Sequence, residues 1–286
     1  IQALMPEFPK QNIIKAFHFL AINTDDFIMR HKSVFLSMAA RDNGCGGWGY
    51  DRLAVCHIQP RKNNNRKNEV NRRASENNRC TLRNGFVEKG FLQLHQQKVE
   101  MPARSVLSGP FYDGSLLYMP VLIKDEPPLF VTKIITVYPR NQELFGQAAL
   151  NGFLVLFDAK NGLPLAIMDA SFLTAIRTGA AGGVALKYLA RRESRVATLF
   201  GVGPQGRTQL EAACTVLNLE KCFVISNQDP REENFAQEMA ERLGLNIVIT
   251  EDKKTAIENS DLILSATTSR VPLFDGSWLR PGTHIT

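Results

Sequence analysis

The sequence predicts an α/β protein in which a doubly wound parallel sheet is joined to an α+β domain. After Arg195, short apolar segments alternate with amphipathic segments, which is the pattern of parallel strands with helical crossovers. Before residue 170, strands follow one another and end in a hairpin around an Asn-Gly turn. We therefore place a first domain at residues 1–170 and a second at residues 171–286.

The composition is that of a soluble globular protein, with 286 residues, 44% hydrophobic and 22% charged. The sequence contains no run of 18 consecutive apolar residues, so no membrane span is predicted. The first residue is Ile, and no small-residue cleavage site follows the apolar stretch near it, so a secretory signal is not expected. Five irregularly spaced cysteines favour a reduced, cytoplasmic protein over a disulfide scaffold, and their spacing matches no structural zinc site.

Residues 36–84 read as a basic, Asn-rich insertion that we expect to be disordered. Eight Lys or Arg and two Glu lie between Pro60 and Asn84, and this surplus of six equals the whole net charge of +6. Within this insertion, the segment "QPRKNNNRKNEVNRRASENNRC" has one clear aliphatic, Val70, and cannot bury enough apolar surface to order itself. A nucleic-acid-binding tail is the alternative, but no aromatics are interleaved with the basic residues of the Asn-rich part.

The first domain is predicted to contain one helix and four strands in order. Its helix covers "FVEKGFLQLHQQKV", where apolar residues recur at roughly helical spacing. The strands are predicted near Ser115–Met119, Phe130–Tyr138, Gly152–Phe157 and the return segment "LPLAIMDA".

A helix over residues 171–194 leads into the second domain, with Ser171 as its N-cap and basic residues in its last turn. Gly179 to Gly183 lowers helix propensity there, so we expect a backbone or a ligand to pack closely against that turn. Four strands then alternate with three helices. The strand segments are "RVATLFG", "KCFVIS", "NIVIT" and "SDLILSATT", and the helical ones are "VGPQGRTQLEAACTVL", "PREENFAQEMAERLG" and "DKKTAIEN".

Lys133 is the unusual residue of the strand "FVTKIITVY". Side chains alternate along a strand, so Lys133 shares one side with the aliphatics Val131, Ile135 and Val137. A lysine on an apolar face is either a functional residue or one that extends its amine out to solvent along the strand.

Gly201, Gly203 and Gly206 form a GxGxxG pattern directly after an apolar strand and at the start of a helix. In that context the first glycine permits a tight turn, the second lets a pyrophosphate approach the backbone, and the third permits close helix–strand packing. The helix N-terminus favours the phosphates. The pattern therefore predicts dinucleotide binding on a Rossmann-type sheet, with a purely structural turn as the alternative.

The choice between dinucleotides depends on the tip of the next strand, which reads "VISNQDP". The acidic residue that would bind a ribose 2′-hydroxyl is missing there. Arg231 is near, and Asp229 could turn back to a ribose. We expect NAD(P), with a slight preference for NADP(H). The expected cofactor-binding residues are Gly201, Gly203, Pro204, Gln205, Gly206, Asn227 and Thr267.

Several motifs together resemble the ornithine cyclodeaminase/μ-crystallin family. They are "KIITVYPRN", the segment from "NGFLVLFDAKNG" through "TAIRTGAAGG" to "GVGPQGRTQ", and "SDLILSATTSRVPLFDGSWLRPGTHI", within roughly Val87 to Ile285. The resemblance implies a substrate-binding and dimerisation domain joined to a Rossmann domain. It also implies that a C-terminal portion, which carries an aspartate used in cyclodeaminase chemistry, is absent from this sequence.

The resemblance implies roles for three residues. Lys133 matches the lysine that lies in the substrate pocket beside the nicotinamide, and we assign it as catalytic. Arg177 matches the arginine that binds the substrate carboxylate, and Arg104 in "MPAR" matches a further substrate-binding arginine. A guanidinium pairs bidentately with a carboxylate. The alternatives are a helix-surface cation for Arg177 and a loop charge for Arg104.

The function implied is an NAD(P)-dependent enzyme of the ornithine cyclodeaminase type, which removes hydride from the α-carbon of ornithine and returns it to give proline and ammonia. The alternatives are a ketimine reductase, an amino-acid dehydrogenase, or a μ-crystallin-like binder of NADPH and a small ligand without turnover. The expected partners are a small amino acid or cyclic imine and a second copy of the chain, with no metal, membrane or nucleic acid.

Overall fold

The computed structural model describes residues 54–56, 84–269 and 271–286. These residues form two compact units. The first contains residues 54–56 and 89–173, and the second contains residues 84–88 and 174–286. The assignment of a substrate domain at 1–170 and a nucleotide domain at 171–286 stays a prediction. Most of the segment at 36–84 lies outside the described residues.

The first unit is built on a sheet of seven strands in the order β1-β7-β6-β5-β4-β2, with β3 also paired to β4. All neighbours are antiparallel except β1 and β7. The strands are β1 (Ala54–Cys56), β2 (Val99–Glu100), β3 (Ser105–Ser108), β4 (Ser115–Ile123), β5 (Leu129–Val137), β6 (Leu150–Asp158) and β7 (Pro164–Asp169). A short helix, α2 (Asn141–Phe145), connects β5 to β6.

One face of this sheet carries the core of the unit, as the alternation of each strand requires. The buried members on β5 are Leu129, Val131 and Ile135, and Leu154 and Leu156 on β6 pack with them. Residues 54–56, inside the segment expected to be disordered, pair with β7 as a strand, and the expectation for the segment as a whole stays a prediction. The short apolar run Ala-Val-Cys can add to the edge of an existing sheet through backbone hydrogen bonds.

Two described helices contain residues of both units: α1, which covers residues 84–95, and α3 (Ser171–Leu189). Ser171 is the first residue of α3, and the side chain that caps it belongs to Asp169. Its Oδ1 accepts hydrogen bonds from the backbone N–H groups of Ser171 (3.0 Å) and Phe172 (3.2 Å). The sequence expectation of a Ser171 cap is therefore wrong, because a carboxylate two residues earlier already satisfies the free N–H groups.

The second unit is a parallel sheet of five strands in the order β10-β9-β8-β11-β12. The strands are β8 (Val196–Phe200), β9 (Lys221–Ile225), β10 (Asn246–Thr250), β11 (Leu262–Ser265) and β12 (His284–Ile285). The helices between them are α4 (Pro204–Val216), α5 (Glu232–Leu243) and α6 (Lys253–Glu258), and a 3₁₀ turn covers Gly276–Trp278. The predicted doubly wound parallel sheet is confirmed.

Both faces of this sheet are buried. One face joins alternate strand residues such as Leu199 and Cys222 to the apolar sides of α4 and α5, and Cys222, the second residue of β9, is 0% exposed. The other face joins Phe200 and Ile225 to α6. Helices on both sides explain why the strands read as continuous apolar runs rather than alternating ones.

The glycine-rich turn of α3 packs against α4, as its composition predicted. A Cβ added to Gly179 would lie 2.4 Å from the carbonyl oxygen of Thr208. The Thr208 hydroxyl donates a hydrogen bond to the carbonyl of Ala175 at 2.8 Å. The two helices approach this closely only because Gly179 has no side chain.

Asp261 stabilises the amino edge of the parallel sheet through hydrogen bonds and ion pairs. Its carboxylate accepts hydrogen bonds from the backbone N–H groups of Arg195 (2.8 Å) and Val196 (3.0 Å) and pairs with Arg191 and Arg280, both at 3.2 Å. Burial would raise the pKa of Asp261, but these donors outweigh it and hold the pKa below its usual value.

Candidate functional site

The glycine loop joins β8 to α4 at the carboxyl edge of the parallel sheet. Gly201 has φ +95°, and a Cβ there would lie 2.4 Å from the carbonyl oxygen of Ala266. A Cβ on Gly206 would lie 2.0 Å from the carbonyl oxygen of Gly201. A Cβ on Gly203 would meet nothing within 4 Å. The three glycines therefore have the geometry that a tight turn, an open approach and a close packing contact require.

The loop lies where the strand order reverses. The chain runs outward from β8 to β9 and β10 and then crosses back to β11 on the other side of β8. The loop that follows β11 contains Ala266, whose N–H donates to the carbonyl of Phe200 (2.9 Å), and Thr267, which is exposed. In open α/β sheets the ligand binds in the crevice outside the carboxyl ends at such a reversal. The structure thus brings Thr267 and the glycine loop to one crevice.

The start of α4 leaves polar groups available for an anion. Gly203 is the N-cap and supplies no side-chain acceptor, and Pro204 begins the helix. Among the described residues, the Oε1 of Gln205 is buried without a hydrogen-bond partner, and as an acceptor it suits a hydroxyl or amide donor of a ligand rather than a phosphate oxygen. The backbone N–H groups at the start of α4 are the donors for an anion, and the space beside Gly203 can admit it. The residues present therefore fit a dinucleotide, whose pyrophosphate would lie at the helix N-terminus.

The β9–α5 loop, residues 226–232, contains Asn227 and is organised by a residue that sequence reasoning missed. Glu232, the first residue of α5, is 5% exposed. Its carboxylate accepts hydrogen bonds from the Ser226 hydroxyl (2.6 Å) and from the backbone N–H groups of Asn227 (2.9 Å) and Asp229 (3.2 Å). In the sequence, Glu232 appears only as an acidic residue at the start of a helix that shortly follows a strand. The same pattern is expected for an ordinary carboxylate in the first turn of a helix.

The same loop contains an ion pair between Asp229 and Arg231. The Arg231 Nε donates to Oδ1 of Asp229 at 2.8 Å, and a second guanidinium nitrogen contacts Oδ2. The hydrogen bonds from Arg231 lower the pKa of Asp229. Asn227 and Gln228, at the tip, are uncharged and exposed.

Lys133 lies in the first unit on the core-facing side of β5. Its register partners are Met119 on β4 and Leu154 on β6, and Leu154 is in turn paired with Met168 on β7. Leu154 and Met168 are 1% and 2% exposed. Lys133 is thus the charged member of an apolar row that crosses four strands, which sharpens the anomaly seen in the sequence.

Arg104 lies in line with the same row. It directly precedes β3, where Ser105 is paired with Tyr118 of β4. Arg104 lies outside β3, and extending this antiparallel register by one residue would align it with Met119, the partner of Lys133. Two strand spacings amount to roughly 10 Å between the backbones of Arg104 and Lys133. The exposed arginine and the partly buried lysine are therefore brought to one line across the sheet.

Arg177 lies on α3 and belongs to the second unit. Its neighbours Ala175 and Ile176 are 6% and 5% exposed, whereas Arg177 itself is on the exposed side of the helix. The substrate-binding role of Arg177 stays a prediction.

In the described ranges, no helix is long and apolar enough to cross a membrane.

The sheet order, the helices on both faces and the glycine loop at the strand reversal define a Rossmann-type α/β protein with a second, largely antiparallel unit. The chain belongs to the ornithine cyclodeaminase/mu-crystallin family, whose model matches residues 67–286. The expected family assignment is confirmed.

Two curated relatives illustrate the similarity. The chain is 32% identical over 215 residues to a Delta(1)-pyrroline-2-carboxylate reductase of Bacillus cereus, which covers 74% of this chain and 65% of the relative. It is 31% identical over 199 residues to an alanine dehydrogenase of Archaeoglobus fulgidus, with 70% of this chain and 59% of the relative covered.

Two solved structures are also similar to the chain. The Delta(1)-pyrroline-2-carboxylate reductase of Thermococcus litoralis, in complex with NADH and L-proline, has a TM-score of 0.66 and 37% identity and covers 76% of this chain and 64% of its own. A lysine cyclodeaminase has a TM-score of 0.61 and 26% identity, with 77% and 61% covered. The chain therefore spans less than two thirds of the length of these relatives, between 59% and 65%.

Proposed function

We propose that the chain forms the dinucleotide- and substrate-binding parts of an NAD(P)-dependent enzyme that reduces the C=N bond of a small cyclic α-imino acid. The observation that carries this proposal is the alignment of Arg104 and Lys133 across the core face of the first sheet. Two cations in an apolar row suit a small ligand that has one carboxylate and an otherwise apolar ring. The similarity to two pyrroline-2-carboxylate reductases supports the same substrate class.

The cofactor would be held by the glycine loop and the loops beside it. The space beside Gly203 admits the pyrophosphate, the N–H groups at the start of α4 face it, and Thr267 lies in the same crevice. When bound, the nicotinamide supplies the hydride that reaches the α-carbon of the imine.

The side chains of the chain would bind and protonate the substrate. The guanidinium group of Arg104 pairs with the carboxylate and orients the C=N bond. The Lys133 ammonium donates a proton to the imine nitrogen. One hydride on carbon and one proton on nitrogen convert C=N to CH–NH, so the step is balanced.

Ornithine cyclodeamination is the second candidate. The structure of a lysine cyclodeaminase, described as recognising L-lysine, L-ornithine and L-2,4-diaminobutyric acid, supports it. The same carboxylate-binding arginine, Arg104, would serve, with hydride removed from the α-carbon and later returned. The higher identity to the reductases, 37% against 26%, leads us to place reduction first.

The two candidates give different readings with the purified chain. Reduction of Δ1-pyrroline-2-carboxylate consumes NADH or NADPH, and the loss of nicotinamide absorbance measures it. Cyclodeamination releases ammonia and proline from ornithine with no net change in that absorbance. Binding of a dinucleotide without turnover of either substrate, or of alanine and pyruvate, would refute both and favour a binding protein.

A second copy of the chain is proposed to cover the other face of the first sheet. Tyr118 and Phe153, which flank Ile134 in one row of that face, are 43% and 47% exposed, and Phe130 is 45% exposed. Exposed apolar area of this kind marks an interface. A similar archaeal alanine dehydrogenase is described as a dimer.

Light scattering after gel filtration tests this proposal. Phe153→Asp should shift a dimer toward monomer, whereas Leu189→Asp, at a 73% exposed leucine on α3, should not. A monomeric wild-type chain would refute the dimer.

A further inference from the structure

The β9–α5 loop follows the strand next to β8 in the parallel sheet, so it lies at the same edge as the glycine loop. In a dinucleotide-binding sheet this position contacts the adenosine ribose, where NAD has a 2′-hydroxyl and NADP a 2′-phosphate. The charges of this loop therefore decide which nucleotide is tolerated. This step rests on the proposed function, because it assumes that a dinucleotide binds at the glycine loop.

Residues 226–232 contain two carboxylates and one cation, which gives a formal charge of −1. The Glu232 carboxylate is buried beneath the backbone of the loop and accepts hydrogen bonds from three donors. The Arg231 guanidinium is the group that could bind a 2′-phosphate, but Asp229 holds it through two of its nitrogens and also accepts the Arg231 backbone N–H at 2.9 Å.

The charged residues of the neighbouring elements do not cancel the negative formal charge of this loop. The turn after β10 supplies Glu251 and Asp252 against Lys253 and Lys254, which is neutral in sum. Arg207, directly after the glycine loop, pairs with Glu238 of α5 at 2.6 Å.

We propose that this protein prefers NAD(H) to NADP(H), and that Asp229 sets the preference by withholding Arg231 from a 2′-phosphate. A 2′-phosphate would bring about two negative charges to a loop that is already negative. A 2′-hydroxyl brings none. This reverses the preference for NADP(H) expected from the missing acidic residue at the strand tip, because the structure places two carboxylates in the loop beyond that tip.

Calorimetric titration of the full chain with NADH and with NADPH is the test. We expect NADPH to bind at least about tenfold more weakly, the effect of one uncompensated charge near a protein surface. Equal binding, or tighter binding of NADPH, would overturn this inference and leave the proposed function standing. Binding of neither nucleotide would overturn both.

Substitutions then test the residue assignment. Asp229→Asn should free Arg231 and reduce the NADPH-to-NADH ratio of dissociation constants by about tenfold. The double variant Asp229→Asn/Arg231→Ala should lose that gain. Glu220→Gln is the matched control, since Glu220 also pairs with an arginine, Arg195 at 3.4 Å, but precedes β9 at the opposite end of the strand.

Circular dichroism would establish that each variant is folded. An unchanged ratio in folded Asp229→Asn, or an equal shift in Glu220→Gln, would refute the role of Asp229. The wild-type ratio tests the preference itself even if a variant fails to fold.

Discussion

Replacing Gly203 with alanine should weaken dinucleotide binding while leaving the fold intact. Gly203 has φ −72° and ψ −176°, which any residue can adopt, and an added Cβ meets nothing within 4 Å. Alanine is slightly worse than glycine at an N-cap but restricts the unfolded chain, so the stability change should stay within about 1 kcal/mol. The methyl group would instead occupy the space through which the pyrophosphate approaches.

The affinity loss can be estimated from the contacts at risk. Hydrogen bonds between backbone N–H groups and a charged phosphate contribute about 1.5–3 kcal/mol each, so losing one weakens binding by roughly 10- to 100-fold. Titration calorimetry with NADH measures this loss, and thermal unfolding followed by circular dichroism measures stability.

Gly201→Ala is the contrasting variant. Its φ of +95° and the 2.4 Å approach to the Ala266 carbonyl oxygen make alanine strained and overpacked there. The two effects together should cost about 2–5 kcal/mol, which lowers the Tm by roughly 5–15 °C in a chain of this size. Undiminished NADH binding by Gly203→Ala, or a large fall in its Tm, would refute the assignment of Gly203 as the point of approach.

Three further predictions concern other parts of the molecule. Lys133→Met should fit the apolar row, retain NADH binding and lower turnover of the imine by at least about 100-fold, whereas Lys124→Met at an exposed ion pair should leave turnover unchanged. Thr198→Val removes a buried hydroxyl that lies 2.7 Å from the Ser260 hydroxyl and should reduce the free energy of unfolding in urea by about 1–2 kcal/mol. Because the pKa of Asp261 is lowered in the folded state, its contribution is present above the unfolded pKa of about 3.9 and is lost as the pH falls through the folded value. Stability measured against pH should therefore decline less steeply in acid for Asp261→Asn than for wild type, and equal slopes would contradict the role of Asp261.

The sequence predicted the elements whose pattern is local. The apolar runs after Arg195 gave the parallel strands, and the glycine spacing gave the turn between β8 and α4. The small residues of α3 predicted a close neighbour, which proved to be the Thr208 backbone. In each case the physical requirement lies within a few consecutive residues, so one segment is enough to reveal it.

The elements that depend on distant partners could not be predicted. β3 and β12 are too short to show a period, and they exist because a neighbouring strand offers hydrogen bonds. The alignment of Arg104 with Lys133 depends on the register of β3, β4 and β5, which no local pattern specifies. Glu232 is recognisable only when the loop that it supports has folded over it.

The reactivity of Cys222 can report how often the parallel sheet opens. Its thiol is wholly buried near the start of β9, and burial raises its pKa far above the usual range, so the reactive thiolate is suppressed in the native state. An alkylating reagent can modify it only when the sheet opens, and mass spectrometry of the peptide around Phe223 would time that opening. The rate at which Cys222 is alkylated therefore measures how often the nucleotide unit opens from its native state.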